Sequence, residues 1–228
     1  MRPVKRTAVF AGILFIVATA SAVLSALFVP PLDVVEDLRG IAANGSQVMI
    51  GVFLQLIMVA SVFTIPVVLF PILRKQGDGV ARLYFAVRVF EAVFLVLCVV
   101  GLVLLLTLSR EYVSAETTDL SHMGTTGALL LAMSDWGSLI GGQILLSLAA
   151  LILNLSMYRS RLVPRLLTVW GLIGVPLMFA SAALVMFGVV ANSLAIQTAL
   201  MLPLAVQEMA FALWLIVKGF SPAALGSA

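Results

Sequence analysis

The chain has 228 residues, 63% hydrophobic and 10% charged, with 13 Lys and Arg against 10 Asp and Glu and a net charge of +3. Soluble globular domains carry about 25% charged residues, so this composition, with a mean hydropathy of +1.21, excludes a soluble fold and points to an integral membrane protein. The single cysteine, Cys98, excludes an internal disulfide or thiolate cluster, and the single histidine, His122, excludes a multi-histidine metal or haem site within one chain.

A membrane-spanning helix needs about 20 mostly apolar residues to cross roughly 30 Å of hydrocarbon. Six such runs follow one another, at about 8–28, 48–70, 82–107, 134–158, 166–190 and 196–217. The predicted fold is therefore all-α: a polytopic six-transmembrane-helix bundle forming a single integral membrane domain over residues 1–228. The first run follows "MRPVKR" and contains the cleavable-looking "ATASA". At about 20 residues it exceeds the core of a secretory signal, so it reads as an uncleaved first span. The connections "VPPLD", "RKQGDG", "SREYVSAETTD", "YRSRLVPR" and "VANS" hold the turn formers. The segment "DLSHMGTTGALLLAMSDW" is too long for a turn and predicts a short interfacial helix before the fourth span, anchored by Trp136. An echo between "RTAVFAGILF" and "RLLTVWGLIG" is too weak to define an internal repeat.

Basic residues set the expected orientation. With the amino terminus inside, Arg2, Lys5, Arg6, Arg74, Lys75, Arg82, Arg159, Arg161, Arg165 and Lys218 fall on the cytoplasmic side, and Arg39 and Arg110 outside. Asp33, Glu36, Asp37, Glu111, Glu116 and Asp119 lean to the outside. This is the positive-inside pattern, predicting N-in/C-in. Because the basic residues segregate by membrane side, the net positive charge is no nucleic-acid signal.

Charges within the spans are the main functional lead. Arg88 and Glu91 lie in the third span, and Glu208 in the sixth, five residues after Pro203. Counting 1.5 Å per residue from the cytoplasmic edge puts Arg88 about 9 Å deep, Glu91 about 14 Å and Glu208 about 15 Å. Residues three or four apart share a helix face, so Tyr84, Arg88, Glu91, Leu95 and Cys98 form one stripe expected to face protein. Gln143, Ser147, Asn154 and Tyr158 form a second stripe in the fourth span, and Gln55 lies in the second. A central charge costs at least about 2.5–3.5 kcal/mol on insertion scales, so unpaired charges are disfavoured. The expectation is that Arg88 bridges Glu91 and Glu208, leaving one excess negative charge for a proton, a cation or a donor ligand.

Three uses of such a centre are open. Buried ionic groups can simply fix helix register, they can line a ligand or ion pocket, or they can catalyse. No nucleophile–base pair, Walker, Rossmann, His-Glu-x-x-His or Gly-x-Ser-x-Gly motif accompanies them. The candidate ligand-binding set is Arg88, Glu91, Glu208, Tyr84, Gln143 and Asn154. Asp135 and Trp136 read as an interfacial anchor or an outer entrance. Arg159, Arg161 and Arg165 read as a topology determinant or an inner lipid or phosphate contact. The glycines of "WGLIG" and "GSLIGG" read as close helix packing, and Cys98 as an inert packing residue. No metal-ligand set is present, and the sequence specifies no cofactor.

Several segments carry a family resemblance: "RTAVFAGILF", "LFPILRK" (Leu69–Lys75), "VRVFEAV" (Val87–Val93), "YRSRLVPRLLTVWGLIG" (Tyr158–Gly174) and "LPLAVQEMAFALWLIVKGF" (Leu202–Phe220). Together they resemble the bacterial and archaeal membrane family catalogued as domain of unknown function 4386. The resemblance implies six spans in a prokaryotic cytoplasmic membrane and no established activity. It places Arg88, Glu91 and Glu208 at positions that members share, whereas members often carry Glu where this chain has the shorter Asp135. The expected function is binding or transport of a small ligand, ion or lipid at the polar centre. A lipid-modifying enzyme and a non-catalytic assembly or stress-response partner are the alternatives.

Overall fold

The computed structural model describes residues 2–29, 34–114, 120–189 and 194–221. Within them the chain forms α1 (Arg2–Phe28), α2 (Val34–Ala43), α3 (Gly45–Arg74), α4 (Asp78–Ser114) and α5 (Leu120–Leu139). A π-helical stretch, Ile140–Leu145, joins α5 to α6 (Leu146–Ser160), followed by α7 (Arg165–Met186) and α8 (Leu194–Val217). Among the described residues six helices are long and apolar enough to cross a membrane, with α5, the π stretch and α6 acting as one of them. The all-helical, six-span fold is thus the one expected. In hydrocarbon every backbone polar group must be satisfied within its own segment, and the helix does that for any apolar run of this length.

The spans close into a ring. α1 packs between α3 and α8, α3 passes to α4, α4 to the α5–π–α6 helix, that helix to α7, and α7 to α8. Short connections make consecutive helices antiparallel neighbours, and the α1–α8 contact completes the circle. α4 and α8, the third and sixth spans, therefore face each other across the ring rather than packing side by side. The up-and-down path brings Lys5, Arg6, Arg74, Lys75, Arg82, Arg159, Arg161, Arg165 and Lys218 to one end of the bundle. Arg39 and Arg110 lie towards the other end, while Asp33, Glu116 and Asp119 are outside the described residues.

Two features of the far end depart from expectation. α2 is an additional short helix, packed on α4 and α5 through buried Leu38 and Ile41. The segment expected to lie along the interface before the fourth span instead continues that span: the helix runs unbroken through His122–Ser160, 39 residues. At 1.5 Å per residue that is about 58 Å, well beyond the bilayer core. Its partner α4, with 37 residues, projects alongside it. Two antiparallel helices bury each other's apolar faces above the membrane, which a single helix lying flat on the interface could not do.

The interior holds two large apolar clusters along the ring axis and a smaller third of Ala150, Val175, Met178 and Leu204 between α6, α7 and α8. The basic half holds Phe15, Ile65, Leu69, Leu73, Leu153, Met157, Phe211 and Leu215 around Tyr84 and Val87. The far half holds Val52, Val62, Leu95, Val99, Leu102 and Leu106, beginning on α4 at Ala92. Between Val87 and Ala92, where one cluster ends and the next begins, α4 carries Arg88 and Glu91.

Candidate functional site

Arg88 and Glu91 are 3% and 2% exposed, so the central charges point inwards. Tyr84, Leu95 and Cys98 on the same stripe are also buried, while Leu83, Phe90, Val93 and Val100 on the opposite face are exposed to the surroundings of the bundle. The i,i+3 spacing lets one arm of the guanidinium reach back along its own helix. Arg88 Nη1 donates to both Glu91 oxygens at 3.0 Å. Arg88 Nε is buried without a hydrogen-bond partner.

Gly137 and Gly141 hold this pair against the fourth span. A Cβ at Gly141 would lie 3.1 Å from the Glu91 carbonyl oxygen, and one at Gly137 would lie 2.8 Å from that of Phe94. The glycines of "GSLIGG" therefore let two helices meet backbone to backbone, as expected of small residues in membranes. The contact falls where the helix turns π-helical, a widening that is frequent at functional positions. Gln143 lies in that widened turn, half-buried, its Oε1 shielded and without a partner. Ser147, one turn on, donates to the Gln143 carbonyl at 2.6 Å.

Glu208 is placed differently from the expected bridge. Its half-buried carboxylate makes no ion pair or hydrogen bond with Arg88, and the guanidinium instead satisfies Glu91 within α4. The reason is architectural. α8 packs on α1 and α7, across the ring from α4, and the intrahelical partner is closer. Glu208 still shares the electrostatic environment of the centre, acting through space on Arg88, Glu91 and Tyr84. The arrangement is one guanidinium and two carboxylates, with Glu91 engaged and Glu208 open.

The residue of α8 that inserts most deeply is the one before it, Gln207, 1% exposed. Its Nε2 donates to Asn154 Oδ1 at 3.1 Å and to the Leu167 carbonyl at 3.2 Å, tying α8 to α6 and α7. Asn154 Nδ2 donates to the Ala150 carbonyl at 2.9 Å. The Asn154 amide lies flat on α7, where a Cβ at Gly171 would come to within 2.5 Å of its Cγ. Sequence reasoning missed Gln207. The available signal was the pair "QE" in an apolar span: adjacent residues point about 100° apart, so the two cannot serve the same neighbour.

The remaining candidates lie elsewhere. Asp135 and Trp136 are exposed on α5 and are not drawn into the centre; buried Ser134 beside them lies with its Oγ 3.3 Å from Cys98 Sγ. Cys98 also donates towards Gln55 Oε1 at 3.9 Å. Arg159, Arg161 and Arg165 are at the basic end, with Arg165 stacked 5.2 Å from the Tyr158 ring centre. Among the described residues no group of three or more His, Cys, Asp or Glu side chains could hold a metal ion.

The sequence profile of one family, described as "Domain of unknown function (DUF4386)", matches residues 10–219. No curated protein and no solved structure matches the chain.

Proposed function

From the premise that this chain belongs to the DUF4386 family and is a multi-pass membrane protein, we propose that its polar centre binds a small cationic or hydrogen-bond-donating ligand. The observation that carries this reading is the inequality of the two acids. Arg88 is committed to Glu91, whereas Glu208 reaches the same charged region without an ion pair or hydrogen bond of its own. One cation set against two carboxylates leaves a negative excess in a poor dielectric, which a proton, a small cation or an N–H donor balances. Unpartnered Gln143 Oε1, in the π-helical turn that meets α4 at Glu91, adds an acceptor of the same preference.

The chain in lipid nanodiscs, titrated with sodium, potassium and methylammonium, tests this. At least one probe should raise the unfolding midpoint of the unmodified chain, and Glu208→Gln should abolish that rise. Equal stabilisation of both forms, or of neither, sinks the reading. Flux of the stabilising probe into proteoliposomes, lost in Glu208→Gln, extends binding to transport.

We further infer that the basic end faces the cytoplasm of a prokaryotic inner membrane, supported by the segregation of lysine and arginine. Reporter fusions after Lys75 and Arg161 should be cytoplasmic, and one after Arg110 should not.

A further inference from the structure

The geometry points to a binding groove for the headgroup of an anionic phospholipid at the basic end, built by the α6–α7 turn and the end of α8. It is separate from the polar centre and independent of the ligand proposed there.

The groove follows from two chain reversals that lock together. α6 ends at Arg161, which adopts a left-handed conformation at φ 54°. That reversal turns Leu162 and Val163 into the core, 0% and 3% exposed, and leaves the Arg161 side chain on the rim. α8 ends at Gly219, φ +73°, and the next residue, Phe220, is buried in the same cluster. Ser221 N–H then donates to the Leu162 carbonyl at 2.9 Å, joining the two turns. Between them lies a groove of about 620 Å³, within the 300–1,000 Å³ range of small-ligand sites.

Its lining is amphipathic. Arg161, Arg165 and Lys218 contribute cations, Trp214 and Pro164 contribute apolar surface, and no acidic residue takes part. Among the described residues none of the three cations has a carboxylate within ion-pair distance. Arg165 is held over Tyr158, so its guanidinium is oriented before anything binds. The groove also opens at the start of α7, where the Pro164 carbonyl takes the Leu167 and Thr168 N–H groups and no side chain caps the turn. The positive end of the α7 dipole favours a phosphate, and an indole in the last turn of a span suits the level where headgroup meets chain. A free phosphate would satisfy the cations but leave the Trp214 side unused; a phospholipid uses both.

The test reads Trp214 fluorescence in vesicles containing brominated phosphatidylglycerol or brominated phosphatidylcholine, with Trp136→Phe and Trp170→Phe introduced to isolate the signal. Native mass spectrometry of retained lipids on the unmodified chain gives a second measure. Phosphatidylglycerol should quench at lower mole fraction and be retained in preference. Arg161→Gln with Arg165→Gln should reduce that preference by about fivefold for each cation removed. The matched pair Lys5→Gln with Lys75→Gln, removing two cations from the same end outside the groove, should leave it nearly intact. Equal behaviour of the two lipids overturns the proposal. So does an equal loss in the matched pair, which would make the preference a property of the whole basic face. Displacement of the brominated lipid by inorganic phosphate would assign the groove to the free anion and overturn the lipid assignment.

Discussion

Gln207 and Asn154 meet between α8 and α6, the glutamine Nε2 donating to the asparagine Oδ1 at 3.1 Å, with both side chains buried. Interhelical polar contacts in membranes contribute roughly 0.6 kcal/mol on average and about 1.7 at most, because a separated helix also finds partners. A double-mutant cycle on Asn154→Ala and Gln207→Ala, read by unfolding in detergent, should give a favourable coupling in that range. No coupling would mean that the contact does not hold the sixth span.

Gly171→Ala tests the other side of the same asparagine. The added methyl would overlap the Asn154 side-chain amide, so the amide must rotate and release Gln207. Overpacking of this kind costs about 1–3 kcal/mol. The expected outcome is a loss of stability that becomes much smaller when Asn154→Ala is present in the same chain.

Arg88→Leu should be the most damaging single change at the centre. It leaves Glu91 buried without its cation, and removal of one partner of a buried pair costs about 3–5 kcal/mol. Adding Glu91→Leu should recover much of that loss, since the double variant has no orphaned charge. Unfolding midpoints of the single and double variants decide it.

Glu208→Gln should behave in the opposite way. Its carboxylate makes no hydrogen bond or ion pair to lose, and the amide removes a charge that is costly inside a membrane, so stability should be unchanged or raised. The variant is then suited to ligand experiments, because lost binding cannot be ascribed to lost folding. A large destabilisation would show that Glu208 is structural.

Gly219→Ala addresses the basic end. The left-handed backbone at φ +73° costs a residue with a Cβ about 1–2 kcal/mol. The seating of Phe220 and the Ser221–Leu162 hydrogen bond should weaken first. Faster hydrogen exchange at the Ser221 amide, with little change in α4, is the expected signature.

Much of this architecture was legible residue by residue. A run such as "LYFAVRVFEAVFLVLCVVGLVLLL" needs no partner to become helical in hydrocarbon, since its backbone bonds are all internal. The stripe Tyr84–Arg88–Glu91–Leu95–Cys98 was readable from helical spacing, and its burial follows from the cost of showing charge to lipid. The π-helical turn at Ile140–Leu145 carried no such mark. It forms where Gly137 and Gly141 bring the fourth span onto α4, and glycines alone do not say which neighbour will approach. α2 was hidden for a related reason, because Leu38 and Ile41 are buried only when α4 and α5 project beyond the membrane to receive them.

What the chain itself determined is the set of local facts: six spans, a basic end, and an acid three residues from an arginine on one helix face. Each depends on bilayer thickness or helical period, which act on a segment in isolation. Only the closed ring decided which groups meet. It set α8 opposite α4, so that Glu91 takes the guanidinium and Glu208 is left open, and it turned Gln207 towards Asn154. Those choices rest on how six helices pack around one axis, and no single segment contains that information.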